Sequence, residues 1–370
     1  MTMKQAFSIC ILFLVLSCSA QRKTQPAEAV PVRGTWVTNV ASDALTSKEK
    51  IAETIERCKQ FGLNTIYVVT WNKGVTMYPS PVVEKYIGIR QDTLYKGFDP
   101  IKEIIAQGHE AGMKVIAWFE YGFAYDYGDT SSIWHKRYPH WAGRDAQGRL
   151  LQKNKFYWWN SLHPEVQQFM TELVLDFVRR YDADGVQGDD RLPAMPSEGG
   201  YDDYTKSLYA KENNGASPPA DSKNAAWLQW RADKLNAYIK DLYSRIKAEK
   251  KSYIVSWAPS IYPWSKEQYL QDWPAWLNGG YADEILPQCY RYDLKAYEKT
   301  IVDLDKQVTP EQKSKVFPGV LIGLGDGYQI KQELLEQMIQ INRQYGFKGE
   351  CTFYYEGMKK LTPFYKGSLQ

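Results

Sequence analysis

The amino-acid sequence predicts an α/β fold built as a single (β/α)₈ barrel of the TIM type, with long loops after strands three and four. Apolar strand-like runs alternate with amphipathic helical runs about eight times along the chain, which is the order of a parallel barrel. The runs are rich in Val, Ile and Trp without clean alternation, which suits strands buried on both faces. A length of 370 residues accommodates such a barrel with insertions. A doubly wound open sheet is the alternative architecture.

Eight short apolar segments, each followed by polar or turn-forming residues, are predicted as strands. They cover residues 33–39, 64–71, 114–121, 185–190, 253–258, 284–290, 316–322 and 349–356. Capping residues mark the helices between them: Thr46 or Ser47 precedes the first helix, and Asp99 precedes the second. The helices are predicted over residues 48–61, 100–111, 164–181, 225–249, 294–307 and 330–345, with a short helical segment near 269–277. Little chain remains for an eighth helix.

The composition is that of a globular protein with many aromatic residues. The formal net charge of +3 demands neither a nucleic-acid partner nor an anionic surface. Aromatic residues make up 14% of the chain, including 13 Trp and 27 Tyr. Because the apolar faces of sugar rings stack on such side chains, this content fits a carbohydrate ligand as well as a large aromatic core.

The first twenty residues have the features of an export signal. Lys4 precedes an apolar run over residues 9–16 that is too short to span a bilayer. Cys18 follows this run as in a bacterial lipobox, so we expect Cys18 to be lipidated; cleavage after Ala20 is the alternative. The predicted segments are a signal peptide over 1–20, a tether over 21–30 and the barrel over 31–370. We therefore expect an exported lipoprotein of the cell envelope, anchored in a membrane by its lipid.

The predicted barrel contains Cys58, Cys289 and Cys351. This odd, sparse set does not make a disulfide framework, and each cysteine lies in an apolar pattern, so buried thiols are expected. The four histidines and these cysteines are not clustered at metal-ligand spacing. No metal and no cofactor are therefore predicted.

Carboxylates stand at the predicted C-terminal ends of strands three, four and eight, the edge at which barrels of this kind carry their chemistry. Glu120 ends strand three, Asp189 and Asp190 end strand four, and Glu356 ends strand eight. The two longest loops follow strands three and four; they cover residues 121–163 and 191–222. The best candidate pair therefore combines Glu120 with one of the two aspartates.

Glycoside hydrolysis needs such a pair, with one carboxyl group protonated and the other ionised. Glu120 follows two aromatic residues, an apolar setting that raises a carboxyl pKa, and it is predicted to be the general acid/base. Neighbouring strand residues point to opposite faces, so one of the two aspartates faces the site. Asp190, the more terminal, is favoured, and Asp189 is the alternative. Helix capping, or an ion pair with Arg191, would instead make these carboxylates structural.

Further polar and aromatic residues at the strand ends are predicted to line the substrate groove. They are Asn39, Trp71, Asn72, Tyr121, Trp257, Gln288, Tyr290, Arg291, Tyr355 and Glu356. The loop after strand three carries six more aromatic residues, which would be stacking platforms for sugars if exposed and a small loop core if buried. These are Trp134, Tyr138, Trp141, Tyr157, Trp158 and Trp159.

Motifs in a fixed order extend from Arg33 to about Glu356. They include Arg33-Gly-Thr-Trp-Val-Thr-Asn39, Asn64-Thr-Ile-Tyr67, Trp71-Asn-Lys-Gly-Val-Thr-Met-Tyr-Pro-Ser80, Trp118-Phe-Glu-Tyr-Gly122, His163-Pro-Glu-Val166, Asp184-Gly-Val-Gln187, Trp230-Arg-Ala-Asp233 and Gln288-Cys-Tyr-Arg291. Together they resemble the bacterial glycosyl-hydrolase-like family ten, which includes a divisome-localised glycan hydrolase. The resemblance implies a (β/α)₈ barrel, a catalytic role for Glu120 and a glycan substrate such as the sugar backbone of peptidoglycan. It also implies partners among cell-envelope or divisome proteins.

One motif departs from the family pattern. Other members often read Phe-Asp-Asp-His where this chain reads Gly188-Asp-Asp-Arg191. Any role of that histidine is absent here, and Arg191 would alter a sugar subsite or the pKa of its neighbours. Two other functions fit the same sequence: a non-catalytic glycan-binding barrel of the envelope, and a hydrolase of another, nutrient polysaccharide.

Overall fold

Eight parallel strands form a curled sheet at the centre of the chain, which confirms the predicted α/β barrel. A computed structural model describes residues 30–325 and 327–365. The strands are β1 (Arg33–Val37), β2 (Thr65–Val69), β3 (Lys114–Trp118), β4 (Gly185–Gly188), β5 (Ile254–Trp257), β6 (Glu284–Ile285), β7 (Gly319–Leu321) and β8 (Glu350–Phe353). Their order in the sheet is β6-β5-β4-β3-β2-β1-β8-β7, and every neighbouring pair is parallel.

The two edges of this sheet meet at a seam between β6 and β7. Parallel bridges join Ile285 to Val316 and Gln288 to Gly319, and they close the sheet into a barrel. Each strand of the barrel is followed by at least one helix. The helices are α1 (Lys48–Gln60), α2 (Pro81–Ile87), α3 (Pro100–Glu110), α4 (Ile133–Arg137), α5 (Pro164–Arg180), α6 (Asp203–Glu212), α7 (Ala225–Glu249), α8 (Trp264–Tyr269), α9 (Trp273–Asn278), α10 (Leu294–Asp305), α11 (Gln332–Gln344) and α12 (Tyr355–Met358).

Polar side chains cap the helices as the sequence predicts. The Ser47 side chain accepts a hydrogen bond from the Lys50 backbone N–H at the start of α1, and Asp99 accepts one from Lys102 at the start of α3. These bonds satisfy backbone donors that a helix leaves free at its first turn. The eighth helix, α12, is a single turn. In the described residues, 3₁₀ turns lie at Thr93–Tyr95, Pro139–Trp141 and Gln312–Lys315.

Strands β1 to β4 end two or three residues earlier than predicted, at Val37, Val69, Trp118 and Gly188. Trp71–Asn72 belongs instead to a small hairpin with Val75–Thr76. The polar residues predicted at the strand ends therefore lie in the first turn of each loop. This places them at the rim of the barrel, above its packed interior.

The barrel interior holds a buried polar network among aromatic side chains. The Trp36 indole N–H donates to Gln187 Oε1 at 2.7 Å, and Gln187 Nε2 donates to Ser256 Oγ at 2.9 Å. Trp36 also lies beside Trp118, with 6.5 Å between ring centroids. Glu120 lies two residues beyond Trp118, in the turn after β3. Its carboxylate contacts Thr38 and Asn72, which follow β1 and β2 at the mouth of the barrel.

The loop between β3 and α5 has its own small core. It contains a three-stranded sheet of Ala124–Tyr127, Phe156–Trp158 and Gln152–Lys153. Trp134, Trp141, Trp158 and Trp159 are at most 2% exposed, and Trp71 stacks on Trp159 within this core. Of the two alternatives for these four tryptophans, the structure shows the loop core, because their rings fill the loop interior. Tyr138 and Tyr157 are half-buried.

The three cysteines of the barrel are buried free thiols, as predicted. The predicted signal peptide, its Cys18 and all but the last residue of the predicted tether lie outside the described residues, so these assignments stay predictions. Across residues 30–325 and 327–365, no helix combines the length and apolar character that crossing a membrane requires.

Candidate active site

Glu120 lies at the barrel mouth, one residue after Phe119, whose backbone N–H donates to the Gln187 carbonyl at 2.9 Å. Its side chain is 15% exposed. Its Oε2 atom accepts a hydrogen bond from Thr38 Oγ1 at 3.1 Å and another from Asn72 Nδ2 at 3.0 Å. Residues after β1, β2 and β3 therefore converge on one carboxylate oxygen. The other oxygen faces a different neighbour, Arg191.

Asn72 links two of the predicted site residues. It is fully buried, and its Nδ2 donates to Asn39 Oδ1 at 2.8 Å as well as to Glu120. The hairpin turn after β2 fixes its position, because Tyr121 N–H donates to the Trp71 carbonyl at 3.1 Å. Asn39, Asn72 and Glu120 thus form one hydrogen-bonded group, with Asn72 at its centre.

Arg191 bonds to several groups of the site. Its Nε donates to the Glu120 backbone carbonyl at 2.6 Å. Its own backbone N–H and its Nη2 donate to the two Asp189 oxygens, at 2.9 Å and 3.0 Å. The guanidinium lies over the Phe156 ring, 5.0 Å from its centroid. Groups from the loop after β3 and from the loop after β4 therefore hold the Arg191 side chain in place.

Three carboxylates share this single guanidinium. Besides Asp189, Arg191 lies 3.6 Å from Glu120 Oε1 and 3.8 Å from Asp190 Oδ1. Burial raises the pKa of Glu120, while the charge of Arg191 and the hydrogen bond from Thr38 oppose that rise. One positive charge does not balance three negative charges, so the cluster favours keeping a proton on a carboxyl group. Glu120 has the setting of a general acid.

The two aspartates differ in exposure and bonding. The Asp189 side chain is 2% exposed, and both of its oxygens are bonded to Arg191. Burial raises the pKa of Asp189, and Arg191 opposes this. The Asp190 side chain is 30% exposed, and its contact with Arg191 is longer. Of the two, Asp190 presents the more accessible carboxylate, and Asp189 acts as the internal partner of the arginine.

Three other predicted residues, Gln288, Tyr290 and Arg291, follow β6. The Tyr290 ring is 5.2 Å from that of Phe353, which in turn lies 6.0 Å from Trp36. Gln288 is half-buried and donates to the Ala258 carbonyl at 3.0 Å. Half-buried Arg291 follows directly after Tyr290. Tyr290 thus joins the segment after β6 to the end of β8, and Gln288 joins it to the residue after β5.

Tyr121 lies under the loop after β3. It is 6% exposed, and its ring meets the edge of Phe156 with 5.5 Å between centroids. Phe156 is also the ring that supports Arg191. Tyr121 therefore supports the site from below and offers little surface to a ligand.

Three predicted groove residues do not reach the groove. Trp71, Trp257 and Tyr355 are at most 2% exposed. Trp71 belongs to the loop core, and Trp257 covers Gly188, where a Cβ atom would lie 2.8 Å from its ring. Tyr355 belongs to α12 and is buried, with Lys359 Nζ 5.2 Å from its ring centroid. The assignment of these three as groove-lining is wrong, since their rings pack inward.

Glu356 is half-buried and tied into local bonds. It accepts from Ser42 Oγ at 2.7 Å and from Lys359 Nζ at 2.8 Å. Lys359 also binds Asp43. This carboxylate is separate from the group around Arg191, and its lysine neutralises it.

Two contributors lie outside the residues predicted for the site. Thr38 follows Trp36 by two residues and so shares its inward direction, a spacing from which it could be predicted. Lys73 lies in the hairpin turn, is exposed, and its charge lowers the pKa of Glu120. In the described part of the chain, no cluster of His, Cys, Asp and Glu could hold a metal ion.

Comparison with known proteins gives the family. Residues 31–340 match the model of the family described as Glycosyl hydrolase-like 10. The chain is 22% identical to glycosyl hydrolase DigH of Escherichia coli O6:H1, over 72% of this chain and 65% of that protein. It is 22% identical to glycosyl hydrolase YngK of Bacillus subtilis, over 58% of this chain and 40% of that protein. The matches thus span less than two thirds of either relative's length.

A solved structure shares the fold. The glycoside hydrolase domain of PgaB (BpsB) from Bordetella bronchiseptica superposes with a TM-score of 0.61 and 14% identity, over 89% of this chain and 95% of that one. This likeness concerns the barrel architecture. The family model covers most of the chain, including β1 to β7 and the group around Arg191. The chain belongs to the Glycosyl hydrolase-like 10 family.

Proposed function

We propose that this protein is a glycoside hydrolase that uses Glu120 as its general acid/base and Asp190 as its partner carboxylate. One observation carries the proposal: a desolvated carboxyl group and a more exposed one meet at Arg191, just after the adjacent strands β3 and β4 at the C-terminal edge of the barrel. That edge is where barrels of this kind place their chemistry. The family and the shared glycosidase fold support the same reaction class.

In the proposed reaction, Glu120 gives its proton to the departing glycosidic oxygen. Burial favours the protonated acid, and Thr38 and Asn72 hold its Oε2 in place. Asp190, the more accessible carboxylate, serves as nucleophile or as base for water while the sugar carries positive charge. Asp189 is a positioning residue that acts through Arg191. No cofactor is needed for this chemistry.

For the substrate, we propose the glycan strands of peptidoglycan. The family resemblance points to a glycan, and the predicted export signal would bring the enzyme to the cell envelope. A lipid on Cys18 would hold it at a membrane, near envelope or divisome proteins. Mass spectrometry of the mature N-terminus tests the anchor: we expect a lipidated Cys18, and a peptide that begins at Gln21 would refute it.

The activity is tested by product release from glycan strands stripped of peptides, measured by mass spectrometry on protein that lacks residues 1–20. We expect soluble saccharides from the parent protein and from Glu172→Gln, a matched control on α5 that pairs with Lys85. We expect at least about a thousandfold less product from Glu120→Gln and Asp190→Asn, because each removes one partner of the reaction. Binding of the strands without release by the parent would identify a glycan-binding barrel instead.

A further inference from the structure

A groove in the wall of the barrel begins at Arg291, on the rim, and runs along helix α10. Its volume is about 420 Å³, within the usual range for small-ligand sites. One side is formed by a single face of α10, on which Ala296, Thr300 and Leu304 follow one another at helical spacing. The other side is the segment 261–264, which leads from the loop after β5 into the first residue of α8. We call this the α10 groove.

Two aromatic rings of that segment pack on other aromatic rings, which hold them in place. Trp264 is 44% exposed, and its ring packs on Tyr269 with 5.5 Å between centroids. Tyr262 packs edge-on against Trp273 at 6.0 Å, and its carbonyl accepts from Gln307 Nε2 at 2.8 Å. A tryptophan that is exposed but already positioned loses little conformational freedom when the flat apolar face of a sugar stacks on it.

The charged residues of the groove favour an anion. Lys299 and Lys306 both pair with Asp303, at 2.8 Å and 3.3 Å. Arg291 donates from Nη1 to the Tyr290 carbonyl at 2.6 Å, and among the residues that the structure describes no carboxylate lies within ion-pair distance of it. A guanidinium has five N–H donors, so Arg291 keeps donors for a ligand. The lining holds three cations and one carboxylate.

We propose that the α10 groove is an accessory subsite for a carboxylate-bearing sugar of the same glycan chain that is cut at Glu120. The sugar ring stacks on Trp264, and its carboxylate binds Arg291 through paired N–H groups. Arg291, which lines the groove, directly follows Tyr290, and the Tyr290 ring contacts Phe353 at the end of β8. The subsite rests on the proposed function, and it adds the recognition of acidic sugars away from the cleavage point.

The test measures binding of peptide-free glycan strands by calorimetry, in the Glu120→Gln background so that turnover does not interfere. The same strands with their carboxyl groups reduced to alcohols serve as the neutral probe. We expect Trp264→Ala and Arg291→Gln each to weaken binding of the acidic strands by about tenfold. Leu94→Ala, a matched control that removes an exposed apolar side chain outside the groove, should bind like the parent. Carboxyl reduction should weaken binding to the parent but add nothing to Arg291→Gln.

Equal affinity of Trp264→Ala and the parent would overturn the subsite, as would the absence of any binding to the acidic strands. Equal affinity for acidic and reduced strands would overturn the assignment of a carboxylate. Hydrolysis is assayed separately, with Glu120 intact. Binding that depends on Trp264 without any hydrolysis would sustain the groove and refute the proposed enzyme. In hydrolysis of a chromogenic monosaccharide, too short to reach the groove, Trp264→Ala should match the parent.

Discussion

Arg191 sets the balance of protons in the site, because it is the cation that all three mouth carboxylates share. Its charge opposes the rise that burial causes in the pKa of Glu120. Activity should end as the pH rises through that pKa, since a general acid must be protonated. In Arg191→Gln we expect the alkaline limb of kcat/KM to move up by about one pH unit.

Arg191→Lys keeps the charge but loses the paired geometry, so its alkaline limb should stay within a few tenths of a unit while the rate falls. Arg149→Gln, which removes a surface arginine paired with Asp145, should leave the profile unchanged. An alkaline limb that stays in place or moves down in Arg191→Gln would show that Glu120 is not the group that titrates.

Glu120 is expected to serve activity at a cost in stability. The folded-state pKa of Glu120 is raised, so the folded protein binds this proton more tightly than the unfolded chain does. Its contribution to stability is complete below the unfolded pKa and is lost as the pH rises through the folded pKa. Glu120→Gln should therefore raise Tm by about 2 °C at neutral pH and leave Tm unchanged near pH 4. Calorimetric melting across this range checks it; a lower Tm at neutral pH would contradict it.

At the scale of elements, the strands could be predicted because each is an apolar run between turn signals, and burial on both faces follows from the barrel. Their ends could not, because Thr38, Phe119 and Trp71 are as suited to a strand as the residues before them. Rim position predicted Asn39, Asn72, Glu120 and one of the two aspartates in one site, and the structure brings both aspartates to Arg191. It failed for Trp257 and Tyr355, since the direction of a ring after a strand ends depends on how the loop folds.

The close packing at the end of β4 explains the departure from the family motif at Gly188. A Cβ atom there would lie 2.2 Å from the Leu192 carbonyl oxygen and 2.8 Å from the Trp257 ring. The loop that carries Arg191 therefore needs glycine at this position. Gly188→Ala should lower the free energy of unfolding by about 3 kcal/mol in urea titrations. Gly325→Ala, where a Cβ meets only Ala41 at 3.6 Å, is the control, and equal stability of the two variants would exclude this explanation.

For the whole molecule, the weakest closure of the barrel is the seam between β6 and β7, which isolated bridges hold in place of a full ladder. The backbone N–H groups of Phe317 and Gly319 donate across it at 2.9 Å and 2.8 Å. Strand β2, by contrast, is paired with β3 at all five of its residues and with β1 at the first four. In hydrogen-exchange mass spectrometry we expect the seam amides to exchange at least about tenfold faster than those of Thr65–Val69. Similar protection of both would mean that the barrel opens as one unit.

The chain as a whole carries a small positive formal charge, yet its mouth gathers three carboxylates around one guanidinium. A glycosyl group gains positive charge as its bond breaks. The negative charge of the mouth therefore stabilises the transition state more than it stabilises the neutral sugar. Nitrogen-containing sugar mimics that are protonated at neutral pH carry the same charge permanently. We therefore expect such molecules to be the inhibitors best suited to this mouth. Their affinity should fall in acid, as the carboxylates take up protons.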